Sequence, residues 1–201
     1  MFNIILAAGL SSRMKKNKLL LTYQNKTFLH HIIKSSFEAN LDIIVVTGCY
    51  KEEITKEIDF LEKLYSKKIY TIHNRDYEFG QLSSLITGVK KLISLNNTKP
   101  YFISVGDTPL LSKDDFIKLI PELKNHDALR PCVNNTFGHP VLINPVLNNE
   151  IINLEYKNKK EGLRSFLKNK DTLAFPSNNL AYIQDIDTIE AYNKLISNPS
   201  S

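Results

Sequence analysis

Apolar residues recur in short blocks along the chain, and two spacings alternate from block to block. Residues 2–7 form a continuous apolar run, the pattern of a strand covered on both faces. Residues 27–39 place Phe28, His31/Ile32, Ser35/Ser36 and Ala39 near helical spacing, and residues 42–47 are a second apolar strand. Residues 51–64 repeat Ile54, Ile58, Leu61 and Leu64 on one helical face. A third strand is predicted over 68–73, and a helix over 82–95 with Leu85, Val89 and Leu92 on one side. A fourth strand is predicted over 101–105, followed by a helix over 112–123 that Ser112 and Asp115 open as a capping box.

Strands alternating with helices through residue 125 predict a mainly parallel sheet with helices on both faces, a Rossmann-like three-layer α/β arrangement. Beyond Asp127 the rhythm changes. Short strands are predicted over 128–133 and 139–143, on either side of a Gly-His-Pro turn, and again over 172–175 and 180–183. Short helices are expected near Ile151 and over 163–167, and a last helix over 188–196. The expectation is one domain over 1–201, with a regularly alternating half (1–125) and a β-rich second half (126–201).

Composition narrows the classes. Apolar residues make up 42% of the 201 and charged residues 23%, which is ordinary for a globular chain and excludes a disordered or collagenous one. The longest apolar runs, such as Ile43-Ile44-Val45-Val46, fall far short of the roughly 20 residues that span a bilayer. No basic segment precedes the first apolar run, so no secretory signal is expected. Cys49 and Cys132 fit no zinc spacing and read as reduced thiols of a cytoplasmic protein. The net charge of +5 suits a polyanionic partner. The lysines are scattered among acids rather than gathered on one face, which argues against nucleic acid.

Three stretches carry candidate chemistry. The first is Leu6-Ala7-Ala8-Gly9-Leu10-Ser11-Ser12-Arg13-Met14, with Lys18 four residues on. Small residues let a ligand approach the backbone, turn N–H groups can cradle phosphate oxygens, and Arg13 and Lys18 would add positive charge. A plain strand-to-helix turn fits the same residues. The stretch lacks the spacing of a P-loop or of a dinucleotide-binding glycine loop. The second is Val105-Gly106-Asp107-Thr108-Pro109, which puts a carboxylate at the carboxyl edge of the sheet, either to bind a ligand or to close a turn. The third is Asp185-Ile186-Asp187-Thr188-Ile189-Glu190, which reads as two acids on one strand face or as the cap of the last helix.

These stretches resemble one family. Leu6 to Lys18 is similar to the L-A-A-G-x-x-x-R-M-x-x-x-K signature of the MobA-like nucleotidyltransferases, closest to the form found in molybdenum cofactor cytidylyltransferases. Gly106-Asp107-Thr108-Pro109 resembles that family's G-D-x-P motif. Asp185 to Glu190 resembles its D-I-D-T-P-E segment, with Ile189 in place of proline and Ala191 in place of a final acid. Asn74 to Leu85, with Tyr77, Gly80, Ser83 and Ser84, resembles its N-x-x-[WY]-x-x-G-x-x-S-S-L segment, with Gln81 where methionine is frequent. Gly138-His139-Pro140 and Gly162-Leu163-Arg164 match its G-H-P and G-x-R turns. Lys15 departs from the glycine usual after Arg-Met.

The resemblance implies a site shared by a nucleotide-binding half (1–125) and an acceptor-binding, metal-completing half (126–201). Leu6, Ala7, Ala8, Gly9, Ser11, Ser12, Gly80, Ser83, Ser84 and Gly106 would bind the nucleotide. Arg13, Lys18 and Asp107 would be catalytic, and Asp107 with Asp187 (or Asp185) would hold Mg²⁺. His139 and Arg164 would face the acceptor. The implied reaction moves a nucleoside monophosphate from an NTP, CTP by preference, to a phosphorylated acceptor such as molybdopterin, with release of pyrophosphate. The product would pass to a molybdenum hydroxylase. A guanylyl, sugar-phosphate or alcohol-phosphate transferase on the same scaffold is the alternative, and a nucleotide-binding accessory protein without turnover is another. His30, His31, His73 and His126 have no metal spacing.

Overall fold

The sheet is built around its first strand. In the computed structural model, which describes residues 1–10, 16–156 and 162–197, β1 (Phe2–Ala7) lies between two parallel neighbours. A small hairpin of β2 (Thr22–Tyr23) and β3 (Lys26–Thr27) leads into α1 (Phe28–Glu38), where the Thr27 hydroxyl caps the helix by accepting from His30 N–H. Then follow β4 (Asp42–Thr47), α2 (Lys51–Tyr65), β5 (Ile69–His73), α3 (Gln81–Ser94) and β6 (Tyr101–Val105). β1, β4, β5 and β6 are mutually parallel, in the order β5-β4-β1-β6.

Alternation along these strands divides the core into two layers. Ile5, Ala7, Ile43 and Val45 face α1 and α2, whereas Ile4, Leu6, Ile44 and Val46 face α3. A strand buried on both faces must be apolar at every position, which is why the first run shows no period of two. Each such Ile, Leu or Val contributes about 1.5–3 kcal/mol when fully buried. The polar exception is Asn3, whose amide donates to Ser36 Oγ and accepts from Ser104 Oγ, both at 2.8 Å.

The second half adds antiparallel strands beside β6. After α4 (Lys113–Ile117) come β7 (Ala128–Val133), β8 (Thr136–Phe137) and β9 (Val141–Ile143). β9 runs antiparallel to both β6 and β7, and β8 pairs with β7. The short α5 (Asn148–Ile152) and α6 (Leu163–Leu167) precede β10 (Thr172–Pro176), which is parallel to β7 at the sheet edge. The last helix, α7 (Ile189–Ser197), returns to the hairpin, where Tyr192 Oη donates to the Thr22 carbonyl. Leu195 and Ile186 bury with Tyr23 and Phe28 in a third, small cluster.

Two expected elements differ. The helix expected over 112–123 keeps its capping box, but the α-helix stops at Ile117 and the chain resumes as a 3₁₀ turn, Ile120–Glu122. Pro121 has no N–H to give and disfavours helical backbone at Ile120. The strand expected over 180–183 is a 3₁₀ turn, Leu180–Tyr182, capped by Asn179 Oδ1 accepting from Ala181 N–H. A short apolar run does not distinguish strand from turn by period alone. No helix among the described residues is long and apolar enough to cross a membrane.

Candidate active site

The carboxyl ends of β1 and β6 lie side by side at the point where the strand order reverses, the place where open α/β sheets leave a crevice. A cleft of about 210 Å³ opens there. Leu6, Ala8 and Gly9 line it from the end of β1, and Val105, Gly106 and Asp107 from the end of β6. Gly80, Gln81 and Ser84 close it from the start of α3, with Tyr77 beside them. Ala7 is buried in the sheet behind this wall. Ser11, Ser12 and Arg13 lie outside the described residues. The two flanks of that stretch are tied to α2 or its lead-in. Tyr50 Oη donates to the Leu10 carbonyl at 3.2 Å, and Asn17 Nδ2 donates to Glu53 Oε2 at 3.3 Å.

Asn17 also caps the 3₁₀ turn Lys18–Leu20, accepting from Leu19 N–H, and so sets the direction of Lys18. The Lys18 ammonium donates to Asp107 and, at 2.6 Å, to Asp187 Oδ1. Burial opposes its charge, but Asp107 and then Asp187 outweigh burial and hold its pKa above the ordinary lysine value. Asp107 is buried and Asp187 about one-third exposed. Asp185 to Asp187 form a loop rather than a strand. Ile186 is buried and its N–H donates to the Asp107 carbonyl, which holds this loop against the end of β6. Asp185 does not bond to Lys18. Burial, with Asp107 and Asp187 nearby, pushes its carboxyl up to about 6. Thr188 caps α7, accepting from Ala191 N–H. Among the described residues no group of three or more His, Cys, Asp or Glu is arranged to hold a metal ion by itself.

The start of α3 is a locked turn. Gly80 has φ 98°, a region that favours glycine. Buried Asn74 donates to Ser83 Oγ at 2.9 Å and to Ser84 Oγ at 3.0 Å, and Ser83 Oγ donates on to the Asp76 and Gly80 carbonyls. Ser84 therefore borders the cleft, while Ser83 serves the turn behind it.

On the other side of Gln81 lies a larger cleft of about 760 Å³, lined by Arg130, Phe137, Arg164, Lys168 and Lys170 among others. Arg164 is exposed in it, as a side chain facing a ligand would be. The Gly138-His139-Pro140 turn docks beneath, with His139 N–H donating to the Tyr182 carbonyl at 2.8 Å. A Cβ on Gly138 would sit 1.9 Å from that same carbonyl oxygen, so the turn admits only glycine. Burial, helped by Arg130, pushes the His139 imidazole down to about 4, so the ring is neutral at pH 7. His139 lines neither cleft, and its buried Nδ1 has no hydrogen-bond partner among the described residues. Arg130 was not singled out from the sequence. Its signal is an arginine inside the otherwise apolar β7, which is visible only once that strand is known to be buried.

The comparisons with known proteins agree with this architecture. The MobA-like NTP transferase domain profile matches residues 3–173. The molybdenum cofactor cytidylyltransferase of Escherichia coli (strain K12) is 36% identical over 188 residues, covering 92% of this chain and 90% of that protein. A probable molybdenum cofactor guanylyltransferase of Bacillus cereus (strain Q1) is 26% identical over 132 residues, 65% of this chain and 61% of that one. Among solved structures, Rv0371c from Mycobacterium tuberculosis H37Rv superposes with a TM-score of 0.77 at 17% identity, covering 98% of each chain. With a glycine turn and a carboxylate at the reversal point of the sheet, and a family profile spanning both halves, this chain belongs to the MobA-like NTP transferase family.

Proposed function

We propose that the chain transfers a nucleoside monophosphate from CTP to the phosphate of molybdopterin and releases pyrophosphate. The observation that carries this reading is the contact of one ammonium, Lys18, with two carboxylates from distant segments, Asp107 and Asp187, at the mouth of the glycine turn. The name of the relative that is 36% identical supports the choice of base and acceptor.

The acid pair fits a magnesium ion. Two carboxylates converge on one positive charge, and Mg²⁺ takes one or two carboxylates together with phosphate oxygens and water. Asp107 and Asp187 would hold it, and when bound it would supply charge neutralisation to the triphosphate. The chain's own residues do the rest. Leu6 and Ala7 at the end of β1, with Ala8 and Gly9 just beyond it, form the support on which the triphosphate would rest, Gly106 lines the same cleft, and Ser11 and Ser12 would also bind the nucleotide. Gly80 and Ser84 flank the nucleoside, and Ser83 holds their turn. The acceptor phosphate attacks the α-phosphorus. One P–O bond forms as the bond to the bridging α–β oxygen breaks, and its electron pair leaves with pyrophosphate. Arg13 and Lys18 stabilise the charge that grows on the leaving group. Catalysis in this reading is positioning and electrostatics. His139, neutral and internal, orders the acceptor-side turn rather than supplying charge, and Arg164 meets the acceptor. The product would go to a molybdenum hydroxylase, and the setting would be the cytoplasm.

A thermal-shift panel of CTP, GTP, UTP and ATP, each with and without Mg²⁺, tests the reading, because ligands that bind the folded state raise its melting temperature. CTP with Mg²⁺ is expected to give the largest shift. A larger shift with GTP would reassign the base, and no shift with any nucleotide would overturn the enzyme reading.

A further inference from the structure

Arg130 is nearly buried in β7, among Ala128, Leu129, Pro131 and Val133. Its Nε is enclosed and makes no hydrogen bond among the described residues. Its guanidinium lies over the Phe137 ring, 4.8 Å from the centroid. Among the described residues no acid pairs with Arg130, Arg164 or Lys168, all of which line the larger cleft, whereas Lys170 pairs with Glu150. A buried cation without a counter-ion is expensive to keep, and two guanidinium groups close enough to repel each other make it more so. Such a site is balanced by an anion from outside the chain. Guanidinium forks match the oxygens of a phosphate in pairs, and the Phe137 ring holds the Arg130 fork in one plane.

The position of the cleft gives the anion a use. Gln81 lines both this cleft and the smaller one, so the two are contiguous at the start of α3. We propose that Arg130 is a further acceptor-binding residue, gripping the acceptor phosphate beside Arg164 in the larger cleft. This rests on the nucleotidyl-transfer reading above and adds a residue, Arg130, to it.

Inorganic phosphate is the probe. It is titrated calorimetrically into the full chain saturated with a non-hydrolysable CTP analogue and Mg²⁺, which keeps it off the triphosphate site. The wild-type chain should bind one phosphate. Arg130→Met should weaken that binding at least tenfold, and Arg130→Lys should restore part of it. Arg130→Met should also keep or raise the melting temperature, because it removes an uncompensated buried charge; a merely structural arginine would lower it. Phosphate bound equally by wild type and Arg130→Met, or not bound by wild type, overturns the proposal. If the CTP analogue itself fails to bind, the nucleotidyl-transfer reading falls, and the same comparison on the nucleotide-free chain still decides whether Arg130 holds phosphate.

Discussion

Lys18 Nζ lies 2.6 Å from Asp187 Oδ1 although 169 residues of chain separate them. The return of α7 to the β2–β3 hairpin closes that loop: Ile186 and Leu195 bury against Tyr23 and Phe28, and Asp187 is carried to the cleft. The contact joins the two ends of the chain at the point where the triphosphate is proposed to sit.

Removing the ammonium should therefore do two things. Lys18→Met is expected to lower the rate of pyrophosphate release about 10²–10³-fold, as loss of one stabilising donor in a preorganised site does. It also leaves Asp107 and Asp187 without their shared cation. Added Mg²⁺ should then raise the melting temperature of Lys18→Met more than that of wild type. An equal Mg²⁺ shift in the two chains would separate this lysine from the acid pair.

Gly138→Ala should be severe. The added methyl carbon would meet the Tyr182 carbonyl oxygen at 1.9 Å, and backbone cannot move aside as a side-chain tip can. A loss of about 3 kcal/mol is expected in urea denaturation, at the upper end for overpacking. A loss below about 1 kcal/mol would mean that the Gly-His-Pro turn is not clamped on this 3₁₀ turn.

Asn74→Ala removes the donor shared by Ser83 and Ser84 at a buried position. The hydroxyls stay buried with one partner fewer, at a cost of about 1–3 kcal/mol. Since Ser84 borders the cleft, nucleotide affinity should fall with stability. Paired urea titrations and nucleotide binding curves check both.

Acid should weaken the fold through two buried histidines, offset in part by Asp185, whose carboxyl, pushed up to about 6, takes up its proton in the native state first. Burial holds His139 down to about 4, with Arg130 adding to the effect, and holds His30 down to about 4, with Lys26 adding to it. Both lie well below the usual 6.5 of an unfolded chain. Between pH 6.5 and 4 the unfolded chain takes up protons that the native state refuses. Stability therefore falls as pH drops through that window, by up to about 1.4 kcal/mol per pH unit for each histidine. Above pH 7 these two groups leave stability flat. Urea midpoints at half-unit steps from pH 4.5 to 7.5 read the slope, and His139→Gln should reduce it.

Much of this was legible before any coordinates. The run over 101–105 is β6, and the run over 128–133 is β7, because both are apolar stretches bounded by turn residues. The helical face of Ile54, Ile58 and Leu61 is buried as spaced, although Leu64, on the same pattern in the last turn of α2, stays exposed. Pro121 and the Asn179 cap were visible in the chain, yet their local effect outweighed the apolar pattern around them.

The sequence by itself determined the order of strands and helices, the glycine turn after β1 and the kinds of side chain available for phosphate and metal chemistry. Those follow from spacing over a few residues, which is all that periodicity reports. Tertiary structure alone decided that Asp187 rather than Asp185 meets Lys18, that Asn74 takes up the Ser83 hydroxyl, and that Arg130 stands in a cleft where, among the described residues, no acid pairs with it. Each depends on which distant segment packs where. That is set by the strand order and by the burial of Ile186 and Leu195 against Tyr23 and Phe28, which are distant in sequence.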